Sequence, residues 1–397
     1  MKKIRIIALL LCAVMLASLL SACGSSTSSS NTSNTIKVGV IAPLTGNVAV
    51  YGMAVRDAVE LYAKKFNDAG GVNGNKIELI IYDDKGDPTE AVNAYNKLVS
   101  ADKVVAIIGP VTSSPTFGVA ELSAKEGIPC ITGTATHPDV TSYGDNFFRA
   151  CFEDPFQGGT MARFAKDELK ARSAAIIYNN DDAYSTGLME AFTKIAGEVG
   201  LSIVATESYG GSDVDFNAQL TNISSRRPDV LFIPDYYNNA YLIASQAKRI
   251  GLNATLLGID GTDGILEIEG ADVSVFDNLY FANHYSTDDT SSVLQEFLKD
   301  YQAAYNTIPN ALGALGYDAA MILFNAFTTI EKNGVKIAAD TATREALITA
   351  MKGTDLQCVT GYITFDENNN PIKNCAIIKV VYDAAAKEAS YQFYMSY

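Results

Sequence analysis

Short apolar runs alternate with longer amphipathic segments along the chain from residue 36 onward. The apolar runs have the length of buried strands and are bounded by turn formers; they cover residues 36–41, 76–83, 104–108, 128–132, 147–151, 174–178, 202–209, 230–234 and 255–259. Apolar residues at helical spacing predict helices at 51–69, 88–101, 117–125, 156–171, 186–200, 216–226, 239–251, 293–305 and 311–330. Strands that alternate with helices form parallel sheets with helices on both faces, so the pattern predicts an α/β fold.

The alternation is too long for one sheet and divides into two strand–helix series of similar length. It therefore predicts two doubly wound, Rossmann-like lobes, with the first break near residues 151–155. The helices at 293–305 and 311–330 come after the second series, and we assign them to the first lobe. The expected division is residues 36–152 and 284–357 in lobe 1, and residues 153–283 and 358–397 in lobe 2.

The N-terminal segment has the pattern of an export signal. Lys2, Lys3 and Arg5 precede an almost wholly apolar run that ends at Leu20. The sequence Leu20-Ser21-Ala22-Cys23 resembles a lipoprotein cleavage site, which implies that residues 1–22 are removed and that Cys23 carries lipid. Residues 24–35 consist almost entirely of Gly, Ser, Thr and Asn and predict a flexible tether. We expect an extracytoplasmic protein anchored to the cell membrane by lipid; a secreted protein without lipid is the alternative.

Charge and composition narrow the possible functions. Without its signal the chain has 27 basic and 45 acidic residues, a net charge of −18, which opposes binding to nucleic acid. Two histidines and dispersed acids suggest neither a metal site nor a cofactor. No apolar run after residue 35 is long enough, at roughly 18 residues, to predict a membrane-spanning helix. Four cysteines remain besides Cys23, and a hairpin pattern between Cys358 and Cys375 makes a disulfide between these two a candidate.

Hydroxyl side chains cluster after two neighbouring strands, in the stretch from Gly109 to Thr141. Thr112, Ser113 and Ser114 follow the strand that ends at residue 108 and open a helix, and a helix N-terminus binds anions. Further hydroxyls follow the next strand, at residues 134 and 136. Ligands of open α/β sheets bind outside the carboxyl ends of strands, so the two loops predict a small-molecule site, although Ser and Thr are also ordinary cap and turn residues.

Several blocks, taken in order, resemble the substrate-binding proteins of the branched-chain amino-acid ABC transporters, which have the type I periplasmic-binding-protein fold. The resemblance covers nearly all of the chain from Ile36 onward. Its blocks are IKVGVIAPLTG at 36–46, GGVNG at 70–74, YDDKGDP at 82–88, GPVTSS at 109–114 and ATHPDVT at 135–141. It implies two lobes joined by a multi-strand hinge that closes over a ligand. A disulfide known in the family would join positions 86 and 112, but this chain has Gly86 and Thr112 there.

The matching blocks imply ligand-binding roles for seven residues. In the first lobe Ser113 receives the ligand carboxylate, Thr136 meets both carboxylate and ammonium, and the Thr134 carbonyl accepts from the ammonium. In the second lobe Tyr184 and Tyr236 close over the ligand and Asp260 pairs with the ammonium. Tyr51 borders the ligand side chain. Taken singly, the tyrosines have core residues as their alternative reading, and Asp260 has a turn former. Either Tyr236 or its neighbour Tyr237 could face the ligand; we favour Tyr236.

Three functions fit the sequence, in decreasing order. The first is a lipid-anchored capture protein, expected to be monomeric, that delivers a small amino acid to the permease and ATPase subunits of an ABC importer. We expect a branched-chain or other aliphatic amino acid, with an amide or aromatic acid as the alternative ligand. The second is a sensory ligand-binding module for a membrane receptor. The third, a hydrolase, is disfavoured because His137 and His284 have no nucleophile at catalytic spacing, so we expect no enzyme.

Overall fold

The computed structural model describes residues 35–397, so the predicted signal, Cys23 and nearly all of the tether lie outside the described residues. The first sheet has five parallel strands in the order β2-β1-β3-β4-β5. These strands are β1 (Ile36–Ala42), β2 (Ile77–Asp83), β3 (Ala106–Ile108), β4 (Cys130–Thr132) and β5 (Phe147–Arg149).

The second sheet has seven strands in the order β14-β13-β10-β9-β8-β6-β7. Its parallel part contains β6 (Ser173–Asn179), β7 (Ser202–Tyr209), β8 (Val230–Phe232), β9 (Thr255–Gly258) and β10 (Tyr280–Asn283). The antiparallel hairpin β13 (Ala376–Asp383) and β14 (Glu388–Ser396) extends it beside β10. A separate hairpin consists of β11 (Asp355–Cys358) and β12 (Gly361–Thr364).

Ten α-helices connect and cover these strands within residues 35–397. They are α1 (Ala49–Asp68), α2 (Pro88–Lys97), α3 (Ser113–Glu126), α4 (Asp154–Asp167), α5 (Ala183–Val199), α6 (Asn217–Arg226), α7 (Tyr237–Arg249), α8 (Ser292–Tyr305), α9 (Ala311–Lys332) and α10 (Thr341–Lys352). A π-helical turn (Leu98–Asp102) extends α2, and 3-10 turns lie at Pro138–Thr141, Asp260–Thr262, Ile265–Glu267 and Val273–Phe276.

Both sheets bury both faces, because successive strand residues point to opposite sides. In the first sheet Val38 and Val40 belong to one apolar cluster and Ile41 to another. In the second sheet Ile176 and Ile177 divide in the same way. This double burial explains why the central strands are continuous apolar runs rather than alternating ones. The two-lobe α/β fold predicted from the alternation is confirmed.

Helix α9 is the most buried helix of the first lobe. By length and composition it is apolar enough to cross a membrane, but 83% of its most apolar window is buried inside the protein. It packs against α1 through a cluster that includes Val55, Val59, Leu323 and Phe324. Its apolar character is therefore that of a core helix.

The chain passes between the two sheets three times, after β5, after β10 and before β13. The last crossing differs from the expected division of the chain, which assigns residues 358–397 to lobe 2. Val359 N donates to Asp318 on α9 at 2.7 Å, and Asn369 Nδ2 donates to Phe147 O at 3.0 Å. Residues 358–370 thus contact the first lobe, and β13 and β14 join the second sheet. The other boundaries stay predictions.

The candidate disulfide is corrected by the structure, in which Cys358 and Cys375 are both free and buried. Cys358 ends β11 and belongs to the apolar cluster around α9. Cys375 precedes β13, and its backbone pairs with Tyr397 at the edge of the second sheet. The two thiols lie in different clusters because the hairpin between them closes at β11–β12 and the following crossing carries the chain to the other lobe.

Candidate functional site

The loop after β3 places an uncapped helix N-terminus at the edge of the first sheet. Gly109 has φ +107°, and a Cβ there would lie 2.2 Å from Ile41 O, so only glycine allows this turn. Helix α3 begins at Ser113, with Thr112 as an N-cap that makes no side-chain capping hydrogen bond. The sequence pattern predicts a helix that opens in this hydroxyl cluster, and the structure places Thr112 at the cap position. The first-turn N–H groups and the buried Ser113 hydroxyl therefore lie together at one end of the helix.

The loop after β4 brings the two predicted threonines beside α3. The Thr134 hydroxyl donates to Val111 O, which ties the two loops together. The backbone N–H of His137 donates to Ser113 Oγ at 3.3 Å. Thr136 Oγ1 is buried and has no hydrogen-bond partner among the described residues. A buried hydroxyl without a partner is costly, so Thr136 Oγ1 is a natural contact for a bound polar group.

Arg149, which the sequence analysis does not single out, holds this loop in place. Its side chain is fully buried, and Nη1 donates to the carbonyl oxygens of Ala135 and His137 at 3.2 and 2.9 Å. Nη2 donates to Pro138 O at 3.0 Å. The Arg149 guanidinium, at the end of β5, thereby provides hydrogen-bond donors for loop carbonyl groups that have no strand or helix partner.

Three of the predicted tyrosines form one aromatic cluster. The rings of Tyr184 and Tyr236 stack with centroids 4.8 Å apart and planes 5° apart. Tyr51, from α1 of the first lobe, meets the Tyr236 ring edge-on at 6.0 Å and donates its hydroxyl to Gly261 O. Tyr237 packs edge-on against the other side of Tyr51 at 5.0 Å. Of the two neighbours, Tyr236 is thus the one that stacks on Tyr184.

Asp260 lies two residues after the end of β9 and is 3% exposed. Its Oδ1 accepts from the Tyr184 hydroxyl at 2.5 Å and from Gly261 N at 2.9 Å. Its Oδ2 lies 3.1 Å from His284 Nε2. Burial raises the pKa of Tyr184 well above its ordinary value, and the negative charge of Asp260 adds to that effect, so the phenol stays protonated as a donor.

A second buried carboxyl group, Asp154, lies at the start of α4. Its backbone N–H donates to Thr136 O at 3.0 Å, and its Oδ1 accepts from Gln157 Nε2 at 3.0 Å. Its Oδ2 is buried and makes no hydrogen bond among the described residues. Burial raises the pKa of Asp154 to about 8; the nearby Thr136 hydroxyl lowers this pKa and the charge of Asp260 raises it. The sequence signal for this residue was only the Asp-Pro pair that restarts the helical pattern.

Several contacts join the two lobes around these residues. Ser114 Oγ on α3 donates to Asp182 Oδ1 at 2.8 Å, and Asp182 also caps α5. Asn238 Nδ2 donates to Asn47 O, and the N–H of Tyr237 donates to the Tyr51 hydroxyl at 3.1 Å. Local sequence pattern gives no signal for this bond, because Ser114 and Asp182 lie 68 positions apart.

The arrangement brings together groups of opposite character. Hydroxyls and helix N–H groups of the first lobe face a cluster of carboxyls and tyrosines at the second. Such a site can hold a molecule that has an anionic and a cationic group close together and an apolar remainder. Within residues 35–397 no group of three or more His, Cys, Asp or Glu side chains has the arrangement of a metal site.

Comparisons with known proteins agree on the family. The periplasmic binding protein family profile matches residues 35–386. The chain is 32% identical to the Leu/Ile/Val-binding protein BraC3 of Rhizobium johnstonii over 343 residues, which cover 84% of this chain and 88% of that protein. It is 30% identical to the leucine-, isoleucine-, valine-, threonine- and alanine-binding protein of Pseudomonas aeruginosa, covering 86% and 88% of the two chains.

A solved structure shows the same fold over almost the whole described chain. The branched-chain amino acid transporter substrate-binding protein LivJ of Streptococcus pneumoniae, solved in complex with isoleucine, superposes with a TM-score of 0.82 at 29% identity. The alignment covers 91% of this chain and 99% of that structure. With a profile that matches nearly every described residue and relatives at this level of identity, the chain belongs to the periplasmic binding protein family, and within it to the branched-chain amino-acid binding proteins.

Proposed function

We propose that the protein captures a small aliphatic amino acid between its two lobes, outside the cytoplasm, and delivers it to the permease of an ABC importer. The observation that carries this proposal is the meeting of two complementary half-sites. One is the uncapped N-terminus of α3 with Ser113 and Thr136, and the other is Asp260 with its tyrosines. The family consists of solute-binding proteins rather than enzymes, and the proposal includes no chemistry on the ligand.

The ligand carboxylate is proposed to bind at the first half-site. Ser113 Oγ and the first N–H groups of α3 point to the same end of the helix, where the helix dipole favours a negative charge. The unpartnered Thr136 hydroxyl supplies a further donor in the same buried space. Hydrogen bonds to a charged group contribute about 1.5 to 3 kcal/mol each, so three or four of them would dominate recognition of this end of the ligand.

The ligand ammonium is proposed to bind between the lobes. Asp260 provides the negative charge and the Thr134 carbonyl a neutral acceptor. Asp154, a buried and largely protonated carboxyl group beside Thr136, offers its carbonyl oxygen as a further neutral acceptor. A single ammonium has three donors, so these three groups match its capacity.

The side chain of the ligand is proposed to contact the tyrosine cluster. Tyr51, Tyr184 and Tyr236 present ring faces and edges. The hydroxyls of Tyr51 and Tyr184 donate to Gly261 O and to Asp260 Oδ1. The relatives are named for leucine, isoleucine and valine, with threonine and alanine for one of them, and the LivJ structure holds isoleucine. These names support an aliphatic amino acid as the ligand of this chain.

Two substitutions test the assignment of the two ends. We expect Asp260→Asn to weaken amino-acid binding about 10- to 100-fold and Ser113→Ala about 10-fold, because each removes a charge-assisted hydrogen bond. The measurement is isothermal titration calorimetry, after a thermal-shift screen of the twenty amino acids has identified the ligand.

Exposed residues of the same types provide matched controls. Asp68 forms only a surface ion pair with Lys64, and Ser225 bonds only to its own helix, so Asp68→Asn and Ser225→Ala should bind like the parent. If no amino acid raised the melting temperature, or if Asp260→Asn bound as tightly as the parent, the proposed site would be wrong. If the protein preferred an aromatic acid or an amide, the proposed ligand class would be wrong, but the proposed role as a solute-binding protein would stand.

A further inference from the structure

The carboxylate of Asp260 is held by a second residue, His284, that comes from the hinge. His284 directly follows β10, at the second crossing between the lobes, and its Nε2 lies 3.1 Å from Asp260 Oδ2. The side chain of His284 is fully buried, and that of Asp260 is 5% exposed. The other oxygen of the carboxylate is already occupied by Tyr184 and Gly261. Asp260 is therefore fixed from two sides.

The imidazole ring is itself fixed between neighbouring elements. It stacks on Phe152 with centroids 3.7 Å apart and planes 26° apart. Phe152 lies at the first crossing, between β5 and α4, so both crossings contribute to the position of the ring. The backbone N–H of His284 donates to Asn283 Oδ1 at 2.8 Å, and the Asn283 amide donates to Asp263 at 3.0 Å. No rotation of the ring is needed for it to reach Asp260.

The protonation state of the ring follows from its surroundings. Burial lowers the pKa of His284 to about 4; the hydrogen bond and charge of Asp260 act in the opposite direction, and the positive charge of Lys373 lowers the pKa further. Asp154 is the other carboxyl group close to Asp260, and burial raises its pKa to about 8, so it is largely uncharged at neutral pH. At neutral pH the imidazole is therefore uncharged. A neutral imidazole facing a carboxylate must have its proton on the nitrogen that faces it, which is Nε2.

We propose that His284 is a positioning residue for Asp260. As a neutral donor it orients the carboxylate and leaves the negative charge available for the ammonium of the ligand. This inference rests on the proposed function. It adds a physical reason why the site would select ligands that carry an ammonium group. A lysine or arginine in the same place would also orient Asp260, but its positive charge would compete with the ligand.

The test compares a ligand with and without its ammonium. Leucine and 4-methylpentanoate have the same carboxylate and the same branched side chain, and only leucine has the amine. We expect His284→Leu to bind leucine about 10- to 100-fold more weakly than the parent and to bind 4-methylpentanoate within about threefold of it, because only the ammonium interaction is lost. His284→Gln retains an N–H donor of similar reach and should recover most of the selectivity for leucine. Both ligands are titrated by calorimetry at pH 7.

The outcomes separate this inference from the proposed function. A parent protein that binds neither leucine nor any other amino acid overturns both. A parent that selects leucine, with Asp260→Asn losing that selectivity and His284→Leu keeping it, overturns only the role of His284. An equal loss for both ligands in His284→Leu indicates a merely structural role and also contradicts the inference. If His284→Leu does not fold, His284→Asn replaces it, since its shorter amide cannot reach Asp260 and we expect the same loss.

Discussion

Carboxyl groups buried without a strong ion pair are a recurrent feature at the scale of single residues. Asp84, which follows β2, is fully buried and has Oδ2 without a hydrogen-bond partner among the described residues. Burial raises the pKa of Asp84 to about 7, the charge of Asp83 also raises it, and the N–H of Gly86 lowers it. Burial likewise raises the pKa of Glu267 to about 7. These groups couple the stability of the chain to pH.

The sign of this coupling follows from proton binding. Folded Asp84 retains its proton up to a pH of about 7, whereas an unfolded Asp loses it near its ordinary pKa of 3.8. Between these two values the folded state binds more protons than the unfolded state, so the free energy of unfolding falls as the pH rises. Stabilisation from this group is present below pH 4 and lost above about pH 7.

Asp84→Asn tests this dependence. Since one pKa unit corresponds to about 1.4 kcal/mol, we expect the variant to gain on the order of 2 to 4 kcal/mol relative to the parent between pH 5 and pH 8. Urea unfolding at both pH values measures the difference. Asp213→Asn, at an exposed loop position, is the control and should follow the parent at both. A constant difference between Asp84→Asn and the parent would exclude Asp84 as the source.

At the scale of elements, the approach of the two lobes depends on how closely α5 meets the loop after β4. Gly187 lies on α5, and a Cβ there would be 3.5 Å from His137 Cδ2 and 3.9 Å from Asp154 Oδ2. The space therefore accepts a methyl group in ordinary contact but nothing larger. The His137 ring cannot move away easily, because it packs edge-on against Phe117 at 5.0 Å.

Two substitutions at Gly187 separate helix stability from closure. Gly187→Ala should bind ligand like the parent and melt at a higher temperature, since alanine stabilises a helix by about 1 kcal/mol relative to glycine. Gly187→Leu should have a similar helix but bind at least about 10-fold more weakly, because its side chain would overlap His137 when the lobes approach. Calorimetry and melting curves without ligand measure both effects. Equal affinity of the alanine and leucine variants would show that α5 does not limit closure.

At the scale of the whole molecule, closure combines weak contacts distributed around the cleft. The bonds from Ser114 to Asp182, from Asn238 to Asn47 and from Tyr51 to Gly261 each join one lobe to the other. None is an ion pair between two charged side chains, and we expect a ligand that bridges both half-sites to favour the arrangement in which these contacts form.

The prediction at the scale of the whole molecule concerns the lipid anchor expected at Cys23. If Cys23 carries lipid, Cys23→Ser should move the protein from the membrane fraction to the supernatant without changing ligand affinity, because the site lies wholly within residues 35–397. Fractionation and calorimetry measure the two properties. Mass spectrometry of the parent N-terminus is the independent check. Retention of Cys23→Ser in the membrane fraction would contradict the proposed anchor.

The sequence by itself determined the features that depend on local pattern. The bounds of β7 match the predicted residues 202–209, and α3 begins within the hydroxyl cluster where an N-terminus was expected. Apolar runs bounded by turn formers indicate buried strands, and their alternation with helices along the chain predicted the two-lobe α/β fold. Ordered motif blocks identified the family, which the comparisons confirm.

Only the tertiary structure decided which distant residues meet. Asp260 and His284 lie 24 positions apart, and Asp154 reaches Thr136 across a lobe crossing, so neither contact leaves a periodic signal. The failure of Cys358 to pair with Cys375 has the same origin, since the last crossing sends their backbones to different sheets. Local sequence pattern indicates which residues are buried. It does not indicate which buried residues contact each other, because the free energy of burial depends on the apolar area removed from water and not on sequence separation. Those contacts are set by how the sheets and the lobe crossings pack.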